Sequence, residues 1–188
     1  MPRLYVGGVG GCGKTVACKK VAAKFPGVVS LTGSEIMMRA AGVHTREELE
    51  QLPEGTKDWL RATAFEEYYK RYPDLIIEGH FFLTGVDIPY FDEYVLIEAA
   101  LSDLIRFRLL DPLRKRDIDP ENIRQEMQAI EGRVNRLEKE YGIKVVRIKN
   151  DSSLEDLAEK IERIFISCLL ERQIIGFLSK ERRWRRNF

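Results

Sequence analysis

The chain has 188 residues, 44% of them apolar, and a formal net charge of +1. That length suits one domain with a proper core, and the balanced charge excludes a general electrostatic pull toward nucleic acid or a membrane surface. No uncharged run approaches the length of a membrane span, and Cys12, Cys18 and Cys168 are too few for a disulfide framework and suit a reducing cytoplasm. After Met1-Pro2-Arg3 the apolar stretch is too short and too glycine-rich for a signal peptide.

In chain order, Arg3 to Val6 reads as a short buried strand, followed by a glycine-rich turn and a helix from Thr15 to Phe25. Gly27 to Thr32 is a second strand. Gly33-Ser34 opens a short helix closed by Gly42, and Thr45 opens another through a capping box with Glu48. Pro53-Glu54-Gly55 reads as a turn, and Thr56 to Tyr72 as a long helix. Leu75 to Ile77 is a third strand, residues 81–92 a loop, and Tyr94 to Ile97 a fourth strand. Leu101 to Leu110 is helical, 111–120 is short and charged, and Glu121 to Tyr141 carries the apolar stripe Ile123, Met127, Ile130, Val134, Leu137 and Tyr141. Lys144 to Ile148 is the fifth strand, and Leu154, Leu157, Ile161, Ile164 and Cys168 mark a last main helix. Residues 171–188 form a basic tail, whose plain reading is an extra helix packed on the domain with a solvated tip. Alternating strands and helices predict an α/β protein: a three-layer α/β/α sandwich around a mostly parallel five-stranded sheet, in one domain over 1–188.

The turn Gly8-Val9-Gly10-Gly11-Cys12-Gly13-Lys14-Thr15 fits G-x-x-x-x-G-K-[ST], and it has a strand before it and a helix after it. This is the phosphate loop of P-loop nucleoside triphosphatases. Its glycines let main-chain N–H groups converge on anionic oxygens, and the new helix, opening through Val16, adds its positive end. Lys14 is positioned for the terminal phosphates of ATP and the Thr15 hydroxyl for Mg²⁺.

Ligands of such sheets collect at the carboxyl ends of the strands. Glu78 directly follows the third strand, where an acid holds the Mg²⁺ shell, and His80, two residues on, is a candidate to touch substrate or a bound water beside it. Arg108, Arg114 and Arg116 fall in an arginine-dense run, read as a short lid over 108–119 that closes on the phosphates. Arg133 flanks the apolar stripe of the following helix and is placed to reach inward; Arg136 points further away, and Arg124 lies on the opposite edge. The helical insertion 33–72 is expected to bind the phosphate acceptor through Ser34, Arg39 and Arg61.

With these residues the chain resembles the nucleoside monophosphate kinases, and most of all the archaeal-type adenylate kinases. The resemblance spans roughly residues 3–165 and rests on five stretches. They are the phosphate loop, Thr32-Gly33-Ser34, Leu52-Pro53-Glu54-Gly55-Thr56, Glu78-Gly79-His80, and the run from Arg108 through Asp111, Arg114 and Arg116 to Asp117 and Asp119. It implies transfer of phosphate from MgATP to AMP, giving two ADP, with Lys14 and the lid arginines stabilising the moving group. It also implies a possible homo-oligomer. The Asp-Gly-Phe-Pro-Arg stretch of the common bacterial and eukaryotic adenylate kinases is absent, and Glu78 stands for its Asp.

Two other readings stay open. A small-molecule alcohol kinase needs a carboxylate to take the hydroxyl proton, and Glu35 is the nearest candidate. The acid-x-His feature is also similar to nuclear adenylate-kinase-like ATPases of ribosome maturation. For such an assembly factor, the tail's Ile174, Ile175, Phe177, Leu178 and Trp184, set among Lys180, Arg182, Arg183, Arg185 and Arg186, would dock RNA or a protein partner.

Overall fold

The computed structural model describes residues 2–83, 87–111 and 116–186. Five strands form one sheet: β1 (Arg3–Gly8), β2 (Val29–Thr32), β3 (Leu75–Gly79), β4 (Glu93–Glu98) and β5 (Val145–Lys149). Their spatial order is β2-β3-β1-β4-β5, and every pairing is parallel. The apolar runs account for which strands lie inside. Leu4, Val6, Ile76, Ile77 and Val95 are wholly buried, as expected of inner parallel strands covered on both faces. β5 lies at one edge and points Arg147 outward, where it pairs with Glu131 at 2.8 and 2.9 Å. A charged residue there discourages a further strand from adding.

The helices are α1 (Lys14–Lys24), α2 (Gly33–Ala41), α3 (Arg46–Gln51), α4 (Glu54–Arg71), α5 (Leu101–Leu109), α6 (Pro120–Tyr141) and α7 (Leu154–Arg186). A single 3₁₀ turn at Ile88–Tyr90 interrupts the predicted loop before β4. α6 buries Ile123, Ile130, Val134 and Leu137 of the stripe read from the sequence, with Met127 partly covered, whereas Tyr141 at its last turn is exposed. α1 and α7 pack together through the Phe25 and Phe165 rings, 5.0 Å apart, and through the ion pairs Lys20–Glu155 and Lys24–Glu162. Met37, Leu49 and Leu60 form a small separate core that joins α2, α3 and α4.

Register sets the rim. Val6 pairs with Glu78, Gly7 with both Gly79 and Leu96, and Thr32 with Glu78. The ends of β1, β2, β3 and β4 therefore finish side by side, and the chain after each emerges on one edge.

Two expectations are corrected. Pro53-Glu54-Gly55 is not a free turn, because α4 already starts at Glu54. Proline has no N–H to leave unsatisfied at a helix start, and the Pro53 carbonyl accepts from Thr56 and Lys57 at 2.9 and 3.1 Å. The tail is not a separate helix: α7 runs unbroken through Arg186. Among the residues whose burial is described Cys168 is its last buried one; beyond it Leu170, Ile174 and Phe177 are 52%, 59% and 69% exposed, while Arg172 pairs with Asp92. Among the described residues no helix is long and apolar enough to cross a membrane.

Phe165 is buried to 1% exposure, and its ring packs against Phe25. Phe165→Ala is expected to cost about 3–5 kcal/mol of stability, read from the midpoint of urea unfolding at an unchanged slope.

Candidate active site

The loop between β1 and α1 sits where the central strand ends. Gly11 and Gly13 take positive φ values of 92° and 89°, a backbone that L side chains rarely adopt, and a methyl on Gly13 would come within 2.8 Å of Leu154. Cys12 N–H closes the turn on the Val9 carbonyl at 3.2 Å, and Asn150 from the end of β5 donates to the Cys12 carbonyl at 3.0 Å. Lys14 is buried, and its ammonium donates to the carbonyls of Gly8 and Val9 at 2.6 and 2.9 Å. Thr15 Oγ1 donates to Glu78 Oε2 at 2.9 Å. Glu78 is itself buried, brought beside α1 by the β1–β3 pairing. Val16, the next residue of α1, is exposed.

A second group closes on the loop from α5 and α6. Arg108 Nε donates to the Gly10 carbonyl at 2.9 Å and Nη1 to the Asp117 carbonyl at 2.7 Å. Its Nη2 pairs with Glu126, whose Oε1 accepts from Gly10 N–H at 2.7 Å. Arg116 lies alongside, 3.7 Å from Asp111, and a methyl on Gly10 would run into its guanidinium. Arg108 belongs to the last turn of α5 and is buried, so it is an anchored residue rather than part of a flap. Arg114 lies outside the described residues.

The third group lines the side toward the insertion. Arg133 donates to the His80 carbonyl at 3.1 Å and stacks over the Phe82 ring at 3.7 Å. Arg61 sits over the same ring at 5.3 Å while paired with Glu54 and Asp58 at 3.1 and 2.6 Å. Ser34 Oγ accepts from Arg46 at 2.9 Å and shares a hydrogen bond with Thr32 at 3.0 Å. Arg39 is exposed at the end of α2, and among the described residues no hydrogen bond or ion pair joins it to the site. Arg124 and Arg136 pair on the surface with Glu121 and Glu140.

Residues 7–125 match the AAA domain family. The chain belongs to that family. No curated protein matches it. Among solved structures, the shikimate kinase from Acinetobacter baumannii, in complex with shikimate, superposes with a TM-score of 0.65 at 17% identity, over 89% of this chain and 94% of that one. The shikimate kinase from Bacteroides thetaiotaomicron gives 0.59 at 17%, over 87% and 97%. That from Aquifex aeolicus gives 0.60 at 14%, over 88% and 96%. At these identities the likeness establishes the architecture: this AAA domain has the α/β sandwich and parallel five-stranded sheet expected of a P-loop protein.

Two carboxylates in this AAA domain have settled partners. Glu35 accepts from Thr32 N–H at 2.7 Å and completes the capping box of α2. Glu126 is held in its charged form: burial opposes ionisation, and the Gly10 N–H and Arg108 outweigh it, so its pKa falls below the ordinary value. His80 Nε2 lies 4.0 Å from Glu126. Burial and the Lys14 ammonium lower the His80 pKa from 6.5 to about 4, with Arg133 and Arg46 acting the same way, which leaves a neutral imidazole. Glu126, Arg46 and Phe82 carry little signal of their own in the sequence. Glu126 lies seven residues before Arg133, two turns along the same helix face, and Phe82 follows the rim of β3.

Because the fold favours neutral His80, the unfolded chain takes up that proton first as pH falls. Stability should be full above pH 6.5 and decline toward about 4, and His80→Asn should flatten this window. Thermal melts of both proteins across those pH values measure it; parallel curves would rule the imidazole out.

Proposed function

We propose that this AAA domain is a phosphotransferase that moves the terminal phosphoryl group of ATP to a nucleoside monophosphate, with AMP the first candidate. The glycine loop fits a polyphosphate: a side chain at Gly10 would intrude among Arg116, Glu126 and Arg108 at its mouth, and α1 begins directly after it, where a helix start favours anions. Thr15 and Glu78 fit Mg²⁺, a hard cation that takes few protein oxygens and keeps phosphate and water as its other ligands. Bound there, Mg²⁺ would neutralise charge on the phosphate oxygens.

The observation that carries the acceptor is a contrast in charge. The insertion side presents Arg46, Arg61 and Arg133 around Ser34, His80 and Phe82, whereas Glu35 is committed to the cap of α2. A monophosphate oxygen is already an anion and needs cations to hold it, not a base to deprotonate it. In transfer, the bond from the terminal phosphorus of ATP to its bridging oxygen breaks and ADP leaves with the electron pair. A bond from that phosphorus to the acceptor's phosphate oxygen forms. Lys14 and Arg116 are assigned to the charge that spreads over the equatorial oxygens, Arg108 to holding the loop, and Arg114 to the same lid as Arg116. α2 to α4 form the acceptor cap in this reading. Ser34 and Arg61 contribute to it; Arg39, turned outward, is replaced by Arg46.

A hydroxyl acceptor is the second reading. Its support is the neutral His80 imidazole at the rim, which could take a hydroxyl proton, on an architecture shared with a shikimate kinase holding shikimate.

Turnover of MgATP with AMP, CMP, UMP, GMP and shikimate, followed by formation of ADP and of the phosphorylated acceptor, separates the two. Phosphorylation of AMP is expected; turnover of shikimate alone would overturn the first reading. Lys14→Ala is expected to lower kcat by at least about a hundredfold with the melting temperature little changed. Arg116→Ala should reduce kcat more than ATP affinity, and a loss confined to affinity would reduce that arginine to a clamp.

A further inference from the structure

Gly10 is gripped from both sides by groups distant in sequence. Its N–H donates to Glu126 Oε1 at 2.7 Å, and its carbonyl accepts from Arg108 Nε at 2.9 Å. Arg108 then pairs with the other oxygen of the same carboxylate, and Arg116 lies beside the Gly10 Cα. Glu126 thus holds a phosphate-loop amide on one oxygen and a guanidinium on the other. An amide and a guanidinium side by side are the donors by which proteins recognise a phosphate oxygen, and a carboxylate presents to them the same charge and similar acceptor atoms. The helix geometry favours this placement: Glu126 and Arg133 share a face of α6, so one helix sends a carboxylate to the loop and a guanidinium to the acceptor side.

We propose that Glu126 is an internal competitor for the terminal phosphate of the bound nucleotide, occupying the Gly10 amide and Arg108 until a triphosphate displaces it. The proposal rests on the nucleotide reading of the loop given above. Two anions cannot share these donors in a half-buried site without strong mutual repulsion, so a terminal phosphate and the Glu126 carboxylate exclude each other. A diphosphate, which lacks that terminal group, competes less. Glu126 therefore lowers affinity for the triphosphate more than for the diphosphate and, once displaced, leaves the Arg108 Nη2 donor to the incoming phosphate while Nε and Nη1 keep the Gly10 and Asp117 carbonyls. His80, 4.0 Å from the carboxylate on the side toward Arg133, is the neighbour beside which the displaced side chain would lie.

The test is calorimetric titration of MgATP and MgADP into the full-length protein and into Glu126→Ala and Glu126→Gln, with melting curves of each variant. Displacement predicts that Glu126→Ala binds MgATP about tenfold or more tightly than the parent, that MgADP gains less, and that Glu126→Gln moves in the same direction. Weaker MgATP binding by a folded variant would make Glu126 a positioning residue for Arg108 and overturn the proposal, as would equal gains for MgATP and MgADP. If Glu126→Ala fails to fold, Glu126→Gln alone decides by the same ratio. Parent protein that binds neither nucleotide would overturn the nucleotide reading itself. Parent binding with an unchanged ratio in the variants would overturn only the role of Glu126.

Discussion

The parallel hydrogen bonding of β1 between β3 and β4 is the constraint on which the site depends. β1 is buried on both faces and cannot slip without carrying Leu4 and Val6 out of the core. Its fixed register aligns Val6 with Glu78 and Gly8 with Ile97, and so the phosphate loop leaves the sheet beside the very residue that Thr15 must reach. A slip of one residue on β3 would turn the Glu78 side chain to the other face of the sheet. The strand is structural and its consequence is chemical: two side chains 63 positions apart meet at hydrogen-bonding distance because the core admits one alignment.

Charge is concentrated at this rim at a desolvation cost that only pairing can offset. Lys14, Glu78 and Arg108 are all buried, and each has partners: loop carbonyls for the lysine, the Thr15 hydroxyl for the glutamate, and two carbonyls and a carboxylate for the arginine. Neutral His80 fits the same logic, since a further cation beside Lys14, Arg133 and Arg46 would be unfavourable. The side toward the helical insertion is more exposed: Arg61 keeps surface acids as partners and meets Phe82 by its face. The loop side is therefore held by buried pairs, and the insertion side by pairs open to solvent.

How far the sequence discloses this differs by element. The phosphate loop is a local pattern, and its strand, turn and helix all lie within about twenty-five residues, so spacing alone reveals it. The alternation of strands and helices likewise reveals the sandwich, but not the strand order β2-β3-β1-β4-β5, which depends on which faces pack. Arg108 was readable as an arginine near phosphate but not as a buried helix residue, because burial here comes from α6 and the loop. Glu126 was hidden more completely: its partner Gly10 is 116 positions away, and on a helix wheel it is one more acid beside an apolar stripe. Arg39 shows the opposite error. It lies close in sequence to Ser34, yet the turn of α2 sends it outward, and Arg46, beyond the next capping box, reaches Ser34 instead.

The position of α6 joins these threads. Its apolar stripe fixes it to the sheet through Ile123, Ile130 and Val134, and so fixes the height at which the flanking polar residues stand. Glu126, flanking the stripe, meets the loop; Arg133, two turns later on the same flank, meets His80 and Phe82. Sliding α6 by one turn would carry both side chains away from these partners, and the close packing of the buried residues opposes it. A helix held this rigidly cannot itself swing to admit a ligand. Adjustment at the rim is left to side-chain rotation, because the α2–α4 cap is tied to the same core: Ile36 of α2 and Ala64, Phe65 and Tyr69 of α4 pack with the sheet residues that align the loop, and the small cluster of Met37, Leu49 and Leu60 adds α3 to them.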